Sequence, residues 1–152
     1  MLPIAIGADD AAIELKNAIV AYLSQREIPF CDYTAERTTG EAIYPDIAYQ
    51  VAQAIKAEKH LRGILLCGTG IGMSIVANKV PGIRAAQCHD TYSAQRARKS
   101  NDAQIITLGA RVIGVELAKT IVDAWLESEF EGGRSAPKVA RIGYYEQVGG
   151  PC

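Results

Sequence analysis

Apolar residues along this chain fall into two alternating rhythms. Short, mostly apolar runs at residues 2–7, 29–33, 64–67, 83–88 and 103–108 predict buried strands. Between them, apolar side chains recur at three- and four-residue spacing. Leu15, Ile19, Tyr22 and Leu23 mark one helix. Ile47, Val51 and Ile55, with Ala48 and Ala52, mark a second, and Pro45 suits its first turn. Residues 72–79 and 91–99 predict two shorter helices, the latter with Asp90 as its N-cap. Leu117, Ile121, Ala124 and Trp125 give a strongly amphipathic stretch that Gly132-Gly133 closes, and residues 137–147 predict a last helix interrupted at Gly143. The polar segment 34–44, with Gly40, predicts a loop over the sheet edge.

Strand and helix alternate throughout, which predicts an α/β sandwich of three layers: a five-stranded parallel sheet with helices on both faces. Residues 1–148 are expected to form one domain and 149–152 a frayed tail. Ligands of such sheets bind beyond the carboxyl ends of the strands. Four notable segments fall there: Asp9-Asp10, Cys67 to Ser74, His89-Asp90, and Gly109 to Arg111.

Composition narrows the function. The chain has 152 residues, 49% hydrophobic and 22% charged, as expected of a folded domain with a real core. A net charge of −1 without a basic stripe argues against a nucleic-acid binder, so an anionic ligand must be held by a few local charges. No apolar run is long enough to span a bilayer, and the residues after Met1 show no secretory pattern. Cys31, Cys67, Cys88 and Cys152 are scattered, which suits reduced thiols in the cytoplasm. His60 and His89 stand far apart in no ligand spacing, and no metal site is expected.

The segment Cys67-Gly68-Thr69-Gly70-Ile71-Gly72-Met73-Ser74 concentrates the candidate chemistry. It sets a thiol at the end of a strand, beside a glycine loop that opens a helix. The first N–H groups of a helix lack internal acceptors and favour anions, and such surroundings favour a thiolate. A base beside an anion cradle suits proton abstraction next to a carbonyl. The loop is neither a dinucleotide fingerprint, since Met73 stands where a third glycine is needed, nor a phosphate loop, since no lysine precedes Lys79.

The stretches CGTGIGMSIVANKVPGIRAA, HDTYSAQRARKSND and ITLGARVIGVELAKTIVDAWL closely resemble ribose-5-phosphate isomerase B. That family also includes galactose-6-phosphate isomerase subunits and tetrose-phosphate isomerases. The resemblance runs from IGADD through EGGRSAPKV. It implies a Rossmann-like sheet, a homodimer or tetramer with sites shared between subunits, and aldose–ketose isomerisation through an enediol with no metal or cofactor. It places Cys67 as the base and Thr69 as a catalytic hydroxyl. The N–H groups of Gly68, Gly70, Ile71, Gly72, Met73 and Ser74 become the oxyanion loop. Asp9, Tyr44 and Asn101 become substrate contacts, and Arg111, Arg134 and Lys138 phosphate ligands. His89 is either an acid or base near the thiol or a helix-start residue without chemistry, and Asp9 is equally able to cap the first helix.

Two departures bear on the substrate. Asp10 stands where the ribose enzymes carry a phosphate-binding histidine, and a carboxylate repels phosphate. Ser100 stands where they carry the histidine that opens a furanose ring. A tetrose 4-phosphate has its O4 blocked and forms no such ring, so erythrulose 4-phosphate/erythrose 4-phosphate is the expected pair. Ribose 5-phosphate is the alternative. A non-catalytic sugar-phosphate-binding subunit is the competing class, and the intact thiol speaks against it.

Overall fold

The computed structural model describes residues 1–34 and 43–148. Most of the loop expected at 34–44, and the tail expected at 149–152, lie outside the described residues. Five strands form one parallel sheet: β1 (Ile4–Ala8), β2 (Phe30–Asp32), β3 (Gly63–Cys67), β4 (Ala85–Gln87) and β5 (Ile105–Gly109). Their order is β2-β1-β3-β5-β4. The α/β sandwich expected from the alternating pattern is therefore the architecture observed.

The helices are α1 (Ile13–Gln25), α2 (Tyr44–Lys56), α3 (Ile71–Ala77), α4 (Thr91–Lys99), α5 (Val115–Leu126) and α6 (Ala136–Val148). Strand order sorts four of them onto two faces. Connections that move one way along the sheet (α2, α3) must lie on one side and those that return (α1, α4) on the other, because parallel crossovers are right-handed. Two apolar clusters follow. Leu15, Ile19 and Leu23 of α1 pack with Ala94 and Ala97 of α4, Trp125 of α5, and the strand residues Ile6, Ile64, Leu66 and Leu108. On the other face Ile47 and Val51 of α2 and Met73 and Ala77 of α3 pack with Ala5, Leu65, Cys67 and Ile105. Alternate strand residues serve opposite clusters, as the pleat demands.

Two expectations change at the helices. Leu117, expected on the buried stripe of α5, is exposed; Ala118, Ile121, Val122 and Trp125 form that stripe. Gly143 does not interrupt α6, which runs unbroken and buries no residue. Met73 is wholly enclosed in the core, at 0% exposure for the whole residue.

The edge strand β4 is short, and its outward backbone is already engaged. Asn78 Nδ2 donates to Ala85 O at 2.9 Å while Asn78 Oδ1 accepts from Ala85 N at 2.8 Å. Opposite the strand carboxyl ends, the Arg62 guanidinium donates to the carbonyls of Trp125, Leu126 and Ser128, tying off the last turn of α5. Among the described residues no helix is long and apolar enough to cross a membrane.

Candidate active site

The chain leaves β1 toward β2 on one side and returns past it to β3 on the other, so a crevice opens between the carboxyl ends of β1 and β3. Asp9 ends one wall and Cys67 the other. Asp9 also caps the 3₁₀ turn Asp10–Ala12, its carboxylate accepting from Ala11 N at 3.0 Å. Partial burial raises its pKa above the ordinary carboxylate value; Ala11 N–H opposes this, the Asp10 charge adds to it, and Arg111 opposes it. The capping reading of Asp9 and its place in the cleft thus hold together.

Cys67 is buried, and its sulfur accepts a hydrogen bond from Gly70 N at 3.1 Å. That donor stabilises negative charge on sulfur. Gly70 takes a left-handed φ of 78° that bends the chain back under the thiol, and α3 begins at the next residue. Ile71 N donates to Thr69 Oγ1 at 3.2 Å, while Ser74 N donates to Gly70 O as the first rung of the helix. Ser74 Oγ donates to Ala85 O, so the serine fastens α3 to β4 instead of facing the cleft. Of the expected oxyanion loop, the first-turn N–H groups of Gly72 and Met73 remain without an acceptor inside their helix.

Two side chains close over this loop. Tyr44, at the start of α2, lies flat against Gly72: a Cβ added there would stand 2.3 Å from Tyr44 Cε2. Arg111, just past β5, lies over Gly68, its Nη1 being 3.4 Å from the place a Cβ would take. Asp10 is exposed and turned toward Ala110 and Ile113 at the start of α5.

His89 is held as a backbone acceptor. Its Nε2 accepts from Gly109 N at 2.9 Å, which commits one ring nitrogen as a lone-pair acceptor. Burial lowers its pKa below the ordinary imidazole value, with the Asp90 charge opposing, so the neutral ring is favoured. Asp90 caps α4 as expected, accepting from Ser93 N at 2.6 Å. Cys88 faces the core, and burial pushes its thiol up to about 12, leaving it inert at neutral pH. Among the described residues Cys31, Cys67 and Cys88 are free.

The remaining candidates lie elsewhere. Ser100 closes the carboxyl end of α4, and Asn101 follows it. Asn101 O accepts from Nε of Arg84, the residue immediately before β4, which fixes both residues at the amino edge of the sheet. Glu131 N donates to Lys99 O, which brings the segment leading to Arg134 and Lys138 to the same edge. The helix α4 between the two edges is 9 residues long, roughly 13 Å at 1.5 Å per residue. Asp9, Tyr44, Cys67, Thr69, the glycine loop, His89 and Arg111 therefore gather at one edge. Ser100 and Asn101 lie at the other, and the chain leads from there through Glu131 to Arg134 and Lys138.

Two residues that the sequence reading passed over touch the Cys67 loop. Gln87 Nε2 donates to Thr69 O at 2.7 Å, and Thr107 Oγ1 donates to Gly70 O at 2.8 Å. Gly109, paired with Cys67 across β3 and β5, lets the Thr69 backbone press against the sheet: a Cβ there would meet Thr69 Cα at 2.7 Å. Thr107 carried a signal, being the polar residue inside the apolar run Ile105–Gly109.

With this geometry in place, comparison with known proteins decides the family. The ribose/galactose isomerase family model matches residues 4–142. The chain belongs to the ribose/galactose isomerase family. It is 71% identical over 146 residues to the D-erythrulose-4-phosphate isomerase of Pectobacterium atrosepticum, covering 96% of each chain. Against the ribose-5-P isomerase B of Listeria innocua it is 53% identical, over 91% of this chain and 93% of the relative. The solved ribose-5-phosphate isomerase B of Clostridium thermocellum superposes with a TM-score of 0.91 at 46% identity, covering 96% of this chain and 98% of that one.

Proposed function

We propose that this family member interconverts an aldose phosphate and its ketose through an enediolate, with Cys67 as the base. The observation that carries the reading is the sulfur itself, buried at the end of β3, hydrogen-bonded by Gly70 N–H and set beside the open first turn of α3. The thiolate takes the proton from the carbon beside the carbonyl, and the electron pair moves onto the carbonyl oxygen. The N–H group of half-buried Gly72, in the open first turn, meets the charge that develops there. The thiol then returns its proton to the former carbonyl carbon, and a proton passes between the two oxygens. Asp9 accepts from sugar hydroxyls, the Thr69 hydroxyl and Tyr44 bound the cleft, and Arg111 faces the phosphate. Sulfur-mediated proton transfer calls for no electron carrier.

We further propose that the site is completed by a second copy of the chain. The separation of Ser100 and Asn101 from the Cys67 edge supports this, as does the course of the chain from their edge to Arg134 and Lys138. The surface supports it as well. The α6 helix buries no residue and exposes Ile142, Tyr144, Tyr145 and Val148, and α3 exposes Ile71 and Ile75. A helix with that much exposed apolar surface needs a partner. A two-fold pair would bring each arginine edge to the other chain's thiol edge.

For the substrate, Ser100 supports a tetrose 4-phosphate, because nothing at that position relays the proton that opens a furanose ring. The committed Nε2 of His89 strengthens the point by removing one stand-in. A pentose 5-phosphate is the second reading, consistent with the ribose isomerases among the relatives. Free thiols and the absence of a spanning helix among the described residues fit a cytoplasmic enzyme.

The decisive test compares kcat/KM for erythrulose 4-phosphate and ribose 5-phosphate, in the wild type and in Ser100→His. The tetrose should be preferred, and the substitution should favour the pentose; the reverse preference replaces the tetrose reading with the pentose one. Cys67→Ala should lower kcat by about 10²–10⁴-fold. Mixing Cys67→Ala with Arg134→Ala chains should restore roughly a quarter of wild-type activity, one intact site in half of the dimers. No recovery after subunit exchange would place all ligands in one chain.

A further inference from the structure

Two consecutive carbonyls of the Cys67 loop are held by side chains that the proposed proton transfer does not use. Gln87 Nε2 donates to Thr69 O at 2.7 Å and Thr107 Oγ1 donates to Gly70 O at 2.8 Å. Gln87 and Thr107 are register partners on β4 and β5, so their side chains leave the sheet side by side on one face. Thr107 is fully buried, and its hydroxyl has a definite acceptor.

A trans peptide is planar, and its C=O and N–H point in opposite directions. Holding Thr69 O toward Gln87 therefore aims Gly70 N–H the other way, where it meets Cys67 Sγ at 3.1 Å. Holding Gly70 O toward Thr107 likewise aims Ile71 N–H at the Thr69 hydroxyl, 3.2 Å away. Gly70, at φ 78°, is the residue about which these peptides turn with least steric resistance. A reversed 69–70 peptide would set a carbonyl oxygen against the sulfur and repel a thiolate.

We propose that Gln87 and Thr107 are positioning residues that lock the two peptides of this loop, and through them the hydrogen bond that stabilises the Cys67 thiolate. The inference rests on the reading of Cys67 as base. Neither side chain contacts the reacting atoms; each acts through the orientation of one amide. His89 adds a third hold by accepting Gly109 N–H, which keeps the carboxyl end of β5 under Thr69.

The test replaces donors without changing shape: Gln87→Met and Thr107→Val, with Thr107→Ser restoring the hydroxyl. The readouts are the rate of Cys67 alkylation by iodoacetamide at pH 7, followed by mass spectrometry of its peptide, and the division of the kinetic change between kcat and KM. Gln87→Met and Thr107→Val should each slow alkylation and lower kcat on the order of tenfold, with KM within about twofold. Thr107→Ser should restore both. Gln87 is exposed on the edge strand, so Gln87→Met remains informative even where Thr107→Val fails to fold. Unchanged alkylation in a folded Gln87→Met protein overturns the proposal, as does a rise in KM alone. Failure of the underlying reading looks different: Cys67→Ala would then stay active whatever the alkylation rates.

Discussion

Gly72→Ala isolates the contribution of one aromatic wall. The backbone at this position is ordinary helix, so nothing in φ demands glycine. The demand comes from Tyr44, whose Cε2, Cζ and Oη would lie 2.3, 2.5 and 2.8 Å from the new Cβ. Carbon–carbon contact is comfortable near 3.5 Å, so the ring must retreat by about 1 Å. It has room to do so, because Tyr44 is 39% exposed. The lost packing is offset by the better helix propensity of alanine, about 1 kcal/mol in a helix interior. Stability should change little, with Tm moving by no more than about 3 °C. Activity should not be spared. A 1 Å displacement of a positioning wall costs on the order of 10²-fold in kcat/KM. The assay is steady-state isomerisation in four proteins: wild type, Gly72→Ala, Tyr44→Ala and the double variant. If the ring transmits the effect, adding Gly72→Ala to Tyr44→Ala should cost less than about twofold. Wild-type turnover in Gly72→Ala, or two penalties that simply multiply, would refute the assignment of Tyr44 as that wall.

Gly109→Ala should behave differently, because its Cβ would meet the Thr69 backbone at 2.7–2.8 Å and backbone cannot swing aside. Both activity and the urea midpoint should fall, with roughly 1–3 kcal/mol of stability lost; an unaffected midpoint would show that the Cys67 loop is looser than described. His89 has a folded pKa depressed below its ordinary 6.5, so protons bind the unfolded chain more readily and stability should drain as pH falls from about 6.5 through the folded value. Melting curves between pH 5 and 7.5 should show this slope in the wild type and less of it in His89→Gln. Arg62→Met strips donors from three carbonyls at the end of α5 and should cost about 2–3 kcal/mol in chemical denaturation while leaving kcat alone.

The architecture was legible because each apolar run carried its own period. Five strands appeared at the expected places, with ends shifted by at most two residues. Asp90 was readable as a cap because an N-cap is a local event. Leu117 misled because its spacing fits the α5 stripe, and only the observed packing shows Ala118 and Val122 turned inward instead. The thiol, its glycine loop and Asp9 could be found from the strand ends alone. Gln87 and Thr107 could not, and Gly109 was found by place but not by role, because these roles depend on which strands are neighbours. The order β3-β5-β4 sets Thr107 beside Cys67's strand, although the two residues are 40 apart in sequence. The division of Ser100 and Asn101 from Cys67 was equally invisible, since the sequence carries no mark of which sheet edge a helix end reaches.

The pairing of Asn78 with Ala85 has a consequence for assembly and solubility. An open parallel sheet can recruit further strands at its margins, and a free edge is a route to aggregation. Here the amide of Asn78 imitates an incoming strand, giving Ala85 both a donor and an acceptor at 2.9 and 2.8 Å. The β4 margin is thereby closed to growth by strand addition at that point. At this margin a second copy can pack through helix faces, which form closed pairs, but not by strand addition, which forms open-ended stacks. Asn78→Leu should leave the monomer folded but lower the concentration at which it begins to precipitate.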